Sequence, residues 1–175
     1  GCSSKPKTVE VIRSEQATVN YSVSSEFQEN QDITVTATGV GGDYLYQLDE
    51  GPIQSSPVFE NVSSGDHLIT VFDNNGCEST TINAFVVNYP KYFTPNGDGY
   101  HDYWNIKDLA HQPESVIYIF DRFGKLITQI KPSQPGGWDG TFNGEKLFST
   151  DYWFTVTYLS NGIQKEFKAH FAMKR

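Results

Sequence analysis

The residues with the clearest potential chemistry lie in one short acidic loop. Oxygen-bearing groups recur there at alternate positions: Asn96, Asp98, the backbone of Tyr100, and Asp102. Alternate oxygen ligands converge on one hard cation in calcium-binding loops, so this spacing makes calcium a candidate ligand. The closing glutamate of such a loop is missing, because Lys107 stands five residues after Asp102. A rigid turn, in which Asn and Asp side chains accept hydrogen bonds from their own backbone, is the alternative interpretation.

A second group of residues predicts a loop anchored by an aromatic side chain. Its members are Trp138, Asp139, Gly140, Asn143 and Gly144. Because Asn-Gly pairs favour tight turns, we predict an omega-like or hairpin loop here, with Trp138 packed against the core. A sugar-stacking platform is the alternative interpretation for this tryptophan, and the same two interpretations apply to Trp104 and Trp153.

The chain contains no residue constellation typical of an enzyme. Its four histidines are scattered, and none has a second metal ligand four residues later: His67, His101, His111 and His170. The sequence has neither a Gly-x-Ser-x-Gly nucleophile motif nor a phosphate-binding glycine-rich loop. We therefore predict that the protein is not an enzyme and that it holds no cofactor beyond the candidate calcium ion.

The secondary-structure elements that hold these loops are predicted to be β-strands, since apolar and polar residues alternate strictly over many short segments. The predicted strands in the first half are Thr18–Val23, Ile33–Thr38, Tyr44–Leu48 and His67–Phe72. Those in the second half are Val116–Phe120, Leu126–Ile130, Tyr152–Leu159 and Glu166–Met173. No segment keeps a helical period beyond one short turn at Trp104–Ala110. We predict an all-β protein with two tandem immunoglobulin-like antiparallel β-sandwich domains.

Charge divides the 175-residue chain in two. Residues 1–88 hold three basic and twelve acidic residues, a balance of −9, whereas residues 89–175 hold ten and nine, a balance of +1. This change supports a domain boundary near residue 88, with one domain at 12–88 and another at 89–175. The net charge of −8 argues against nucleic-acid binding, which requires clustered Lys and Arg.

The first residues resemble a later part of the same chain. The Gly-Cys pair at Gly1 recurs at Gly76, 75 residues on, and β-strand-like residues follow both copies. We interpret residues 1–11 as the last strand of a preceding repeat or as a linker, with a chance match as the alternative. Pairing of Cys2 with Cys77 stays open. Because residues 1–20 lack the apolar run of a signal peptide, we expect a primary export signal upstream or of another kind.

Three motifs in the second half carry a family resemblance. They are Phe93–Gly99, Ile117–Gly124 and Trp138–Gly144. In this order and spacing they closely resemble the gliding-motility-associated C-terminal domain of Bacteroidetes proteins, the type B sorting domain of the type IX secretion system. The resemblance covers about Tyr89 to Arg175, and one departure is Phe123, where the family often has Trp.

The resemblance implies an export signal rather than a catalyst. Such a signal is recognised by the type IX outer-membrane machinery and an associated outer-membrane partner protein, after the chain has crossed the inner membrane by a separate route. The implied destination is the cell surface or the medium, reached through the periplasm and the outer membrane.

We expect recognition to use an exposed loop made rigid by proline and glycine. The recognition-loop residues are Phe93, Thr94, Pro95, Asn96, Gly97, Asp98, Gly99 and Asp102. The Trp138–Gly144 motif and the C-terminal residues Lys174 and Arg175 complete the expected site.

The first domain resembles the immunoglobulin-like repeats of large gliding adhesins. The matching segments are Tyr46–Asp49, Phe59–Val62 and Val71–Cys77. This resemblance implies a module of an adhesin-type surface protein. Two alternatives to a pure sorting role follow for residues 12–88, namely an adhesive module that binds a glycan or a protein, and a passive spacer.

Overall fold

The computed structural model describes residues 15–40, 42–75, 78–160 and 162–175. These residues divide into two compact units, of which the first ends at Val86 and the second begins at Val87. The strand predicted within residues 1–11 and the pairing of Cys2 with Cys77 lie outside the described residues. In the described part of the chain, no helical segment has the length and hydropathy to span a bilayer.

The first unit is a sandwich of two three-stranded antiparallel sheets. Its strands are β1 (Thr18–Val23), β2 (Gln31–Thr38), β3 (Tyr44–Leu48), β4 (Val58–Val62), β5 (Gly65–Asp73) and β6 (Thr80–Val86). One sheet has the order β1-β2-β4 and the other β3-β5-β6. In β2, Ile33 and Val35 point inward and are buried, while Thr34 and Thr36, the residues that follow each of them, face outward. Alternation of this kind buries one face of each sheet against the other.

The core of the first unit draws side chains from both sheets. Its buried members are Ile33, Val35, Tyr46, Phe59, Val62, Ile69, Val71, Ala84 and Val86. Strand β4 escaped the sequence analysis because its alternation is broken between the buried Phe59 and Val62. Its pairing with β2 shifts register there, and Asn61 adopts a positive φ of 54°. A bulge of this kind hides a strand from any search for a period of two.

The second unit is built on one five-stranded sheet. Its strands are β7 (Tyr92–Phe93), β8 (Val116–Phe120), β9 (Leu126–Ile130), β10 (Thr141–Phe142), β11 (Glu145–Lys146), β12 (Asp151–Ser160) and β13 (Ile163–Met173). The sheet order is β7-β13-β12-β8-β9, and β10 and β11 form a separate hairpin. The helical turn predicted at Trp104–Ala110 is a single 3-10 turn at Lys107–Leu109. The all-β prediction is confirmed.

One pairing in the second unit is parallel, although the sequence analysis predicted antiparallel sheets. Tyr92 lies opposite Ala172, and Phe93 lies opposite Met173, with β7 and β13 running in the same direction. The two-residue strand β7 joins the edge of the sheet from a distant part of the chain. A segment this short has no alternation to detect.

A cluster of aromatic side chains fills the core of the second unit. The rings of Trp104 and Phe171 stack with centroids 3.9 Å apart. Trp104 and Trp138 exchange two backbone hydrogen bonds of 2.9 Å, which join two otherwise irregular segments. Trp138 in turn contacts Phe93 and Tyr152 at centroid distances of 5.5 and 4.8 Å. The aromatic core therefore anchors the first residues of two of the three motifs, Phe93–Gly99 and Trp138–Gly144.

Candidate recognition site

The acidic loop takes its shape from the carboxylate of Asp102. Oδ1 accepts a hydrogen bond from the Gly97 amide at 2.6 Å, and Oδ2 accepts one from the Gly99 amide at 2.8 Å. Both glycines adopt positive φ values, 82° and 91°, which side chains with a Cβ rarely tolerate. One carboxylate thus closes the loop around two left-handed glycines.

The side chains of Asn96 and Asp98 form further hydrogen-bonded turns within this loop. Asn96 accepts a hydrogen bond from the Asp98 amide at 3.1 Å and donates one to Asp98 Oδ2 at 2.7 Å. Asp98 Oδ1 accepts the Tyr100 amide at 2.8 Å. These bonds from Tyr100 and Asn96 lower the pKa of the Asp98 carboxyl. Because a depressed pKa favours the ionised form, this contribution to loop order is lost only when the pH falls through that lowered value.

The oxygens proposed as calcium ligands already face donors within the loop. The carboxylates of Asp98 and Asp102 and the Asn96 amide oxygen accept backbone N–H groups, as the rigid-turn interpretation predicts. In the described residues no group of three or more His, Cys, Asp or Glu side chains is arranged around a metal position. The loop is thus organised by its own hydrogen bonds, and calcium binding stays a prediction.

The base of the acidic loop is fixed to the sheet. Phe93 is buried on β7 against Trp138 and Phe171. The next residue, Thr94, donates its amide to the His101 carbonyl at 2.8 Å, which closes the loop at its neck. Beyond that neck the loop is open to solvent, and Tyr100 is 76% exposed. A rigid, accessible feature results.

The Trp138–Gly144 motif forms the predicted hairpin with a buried tryptophan. Asn143 and Gly144, at φ values of 52° and 83°, make the two-residue turn between β10 and β11. This combination of positive φ values is that of the primed turn that Asn-Gly favours. Asp139 Oδ1 accepts both the amide and the hydroxyl of Thr141, at 2.9 and 2.7 Å, and thereby holds the entry to the hairpin.

Burial decides how the three tryptophans can be used. Trp138 is 4% exposed and Trp104 is fully buried, so neither ring can stack on a sugar. Trp153 lies on the face of β12 opposite the buried Tyr152 and Phe154, and it is 49% exposed. A sugar-stacking role is therefore sterically open only to Trp153.

Arg175 joins the Phe93–Gly99 and Trp138–Gly144 motifs to the end of β13. Its guanidinium donates through Nε to the Pro95 carbonyl at 3.4 Å and through Nη2 to the Gly140 carbonyl at 3.1 Å. Nη1 donates to the Leu147 carbonyl. We call Pro95, Gly140, Leu147 and Arg175 the loop junction. A planar guanidinium with several fixed donors is suited to bridging carbonyls from separate segments.

Close packing reinforces the loop junction. Gly140 has a φ of 80°, and a Cβ added there would lie 2.5 Å from Met173 Sδ and 3.2 Å from Pro95 Cγ. No side chain fits at this position, so the glycine allows both segments to approach. Lys174 is directed elsewhere, since its Nζ lies 5.2 Å from the centre of the Tyr92 ring. The two C-terminal basic residues therefore have different surroundings.

Two residues of this site were missed by the sequence analysis. Leu147 supplies a carbonyl to Arg175, and Ser149 Oγ accepts the Arg175 amide at 3.1 Å. Leu147 carries no side-chain signal because it acts through its backbone carbonyl, and a lone serine such as Ser149 is not distinctive. The Ser-Thr turn ahead of the aromatic strand β12 was the available clue.

Removing the Asp102 carboxylate is expected to open the acidic loop without unfolding the second unit. Asp102→Ala leaves the Gly97 and Gly99 amides without their acceptor, and losing a comparable capping acceptor costs about 1 to 2 kcal/mol. Amide exchange measured by NMR should therefore accelerate roughly 5- to 30-fold at both glycines. Asp151→Asn, at an exposed acid on β12, is the control. Unchanged exchange in Asp102→Ala would show that other contacts hold the loop.

Comparisons with known proteins give similar solved structures and a family match. No curated protein matches the chain. A solved structure described as the BSP domain of a biofilm-associated protein is similar at a TM-score of 0.28 and 12% identity, covering 89% of this chain and 29% of that chain. A similarity at that level supports no inference about function. Residues 87–173 match the family described as CHU_C Type IX secretion signal domain. The second unit of this chain therefore belongs to the CHU_C family of type IX secretion signal domains.

Proposed function

We propose that residues 87–175 act as a sorting signal read by the outer-membrane machinery of the type IX system and by an associated outer-membrane protein. The signal directs the protein that carries it to the cell surface or into the medium. The observation that carries this proposal is the loop junction, in which Arg175 binds backbone carbonyls of the Phe93–Gly99 motif, the Trp138–Gly144 motif and Leu147. Three segments distant in sequence thus present one composite surface.

Rigidity supports the use of this surface for recognition. The acidic loop contains positive-φ glycines held by side-chain hydrogen bonds, and the segment that enters the β10–β11 hairpin contains one, Gly140, held by close packing. A receptor that binds a preformed surface does not have to order it, so less binding free energy is lost. Recognition by shape requires no catalytic group, and the proposal therefore includes the prediction that the protein is not an enzyme.

Export of a passenger protein tests the proposed function. A fluorescent passenger that begins with an inner-membrane export signal and is followed by the full 175-residue chain should reach the surface or medium of a host with the type IX machinery. The same fusion should stay inside a host that lacks the machinery, and a passenger followed only by residues 1–86 should stay inside both hosts. Retention of the folded full-length fusion by the competent host would contradict the proposal.

An adhesive role is the alternative function proposed for the first unit. An adhesive role would place a glycan or protein ligand on residues 12–88, and a surface depression of about 670 Å³ offers a location for it. Its lining includes Glu60, Asn61 and the hydrogen-bonded pair of His67 and Asp49, whose Nδ1 and Oδ2 atoms are 2.8 Å apart. The adhesive and sorting roles are compatible, since they use different units.

A further inference from the structure

A groove of about 470 Å³ lies in the second unit between the β8–β9 turn and the segment that enters β12. Phe123 lines it on the turn and is 81% exposed, while Phe148 lines it on the entering segment and is 87% exposed. Ile127 and Tyr152, both largely buried, also line the groove. Large apolar side chains concentrated at one exposed groove are typical of an interaction surface.

The position of both phenylalanines is set by the backbone around them. Asp121 Oδ1 accepts the amides of Phe123 and Lys125, at 2.8 and 2.9 Å, and so shapes the turn that carries Phe123. The Tyr152 hydroxyl donates to the Phe148 carbonyl at 2.9 Å. The groove is therefore preformed, and its aromatic side chains are presented on ordered backbone.

Two cations border the same groove, each beside an aromatic ring. The guanidinium carbon of Arg122 lies 4.8 Å from the Phe123 ring centre, and Lys125 Nζ lies 4.5 Å from the Phe142 ring centre. Within the described part of the chain, neither cation forms an ion pair with a carboxylate. We call Arg122, Phe123, Lys125, Phe142 and Phe148 the aromatic groove. The Asp121 carboxylate also lines the groove, but its Oδ1 accepts two backbone amides and the two cations outnumber it. The remaining positive charge and the apolar rings complement a ligand that is both acidic and apolar.

We propose that the aromatic groove docks an acidic protein segment that inserts an apolar side chain between Phe123 and Phe148. Carboxylates of that segment pair with Arg122 and Lys125. A concave groove of this volume fits an inserted side chain better than it fits a flat membrane surface. This inference rests on the proposed function, because the segment belongs to the protein that receives the sorting signal.

The aromatic groove is continuous with the loop junction. Leu147 lines the groove and also supplies a carbonyl to the Arg175 guanidinium, and Phe148 is the next residue. A partner seated in the groove would therefore touch the segment that Arg175 holds in place. Apolar side chains set in a preformed site provide binding energy, and the surrounding charges provide specificity.

The test uses export of a fluorescent passenger fused to the full chain. The variant Phe123→Ser/Phe148→Ser should lower the exported fraction at least about tenfold, because it removes both apolar contacts. The matched control is Ile163→Ser, which truncates a 65% exposed side chain at the start of β13, outside the groove. Since all three side chains are mostly exposed, every variant should keep its melting temperature within a few degrees.

Charge variants in the same assay test the acidic character of the partner segment. Arg122→Glu/Lys125→Glu should also lower export at least about tenfold, whereas Arg122→Lys/Lys125→Arg should retain most of it. If the wild-type chain is exported and the serine double variant is exported equally well, the groove proposal is overturned. If only the charge reversal has no effect, the acidic character of the segment is overturned. A wild-type chain that is not exported overturns the proposed function and this inference together.

Discussion

Gly140→Ala is expected to destabilise the second unit by about 2 to 5 kcal/mol. The left-handed conformation at φ 80° costs an alanine about 1 to 2 kcal/mol. The new methyl group would also overlap Met173 Sδ and crowd Arg175 Nη2, at 2.5 and 2.9 Å, and overpacking of this kind adds about 1 to 3 kcal/mol. For a unit of this size the melting temperature should fall by roughly 10 to 30 °C.

Gly144→Ala is the matched control for this substitution. Gly144 has nearly the same φ, 83°, but a Cβ there would have no neighbour within 4 Å. It should therefore lose only the conformational contribution of about 1 to 2 kcal/mol. Tryptophan fluorescence follows the unfolding of the second unit, since Trp104, Trp138 and Trp153 all lie in it. Equal losses in the two variants would show that close packing at Gly140 contributes nothing.

Arg175→Ala is expected to loosen the loop junction and to reduce export. The carbonyls of Pro95, Gly140 and Leu147 lose a shared donor, and hydrogen bonds to charged groups contribute about 1.5 to 3 kcal/mol. The Leu147 amide, which donates to the Gly140 carbonyl at 3.0 Å, reports on opening of this segment. Its exchange should accelerate at least about 5-fold, and export of the passenger should fall at least about tenfold.

Arg175→Lys separates the geometry of the guanidinium from its charge. The ammonium group is compact and cannot bridge three carbonyls in a fixed fork, so this variant should resemble Arg175→Ala in both exchange and export. Lys168→Ala removes an exposed cation of β13 outside the loop junction and should change neither measurement. If Arg175→Lys is exported like the wild-type chain while exchange of its Leu147 amide stays fast, the machinery recognises the positive charge and not the bridged loops.

Features governed by neighbours in sequence were predictable. The alternation in β12 places Tyr152 and Phe154 in the core, and the observed strand extends the predicted one by a residue at each end. The Asn143-Gly144 turn and the self-capping acidic loop also follow from short-range preferences, since their hydrogen bonds join residues only a few positions apart. Backbone geometry of this kind depends on local residue types.

Other features could not be derived from local patterns. Strand β4 was missed because a bulge breaks its alternation of apolar and polar residues. The parallel strand β7 was missed because it has only two residues. The groove shared by Phe123 and Phe148 could not be predicted either, because the two residues are distant in sequence and only the fold brings them together. Phe123 lies on the β8–β9 turn and Phe148 on the segment that enters β12, and this placement leaves both side chains more than 80% exposed.

The sequence by itself determined the all-β class, most of the strands, the two rigid loops and the family resemblance of the second unit. The tertiary structure alone decided that the loops meet. Arg175 reaches Pro95 across 80 residues and Gly140 across 35, and both contacts depend on how β7 and β13 lie side by side. Alternation and turn preferences report the path of the backbone over a few residues, whereas such contacts arise only when distant segments pack on a common core.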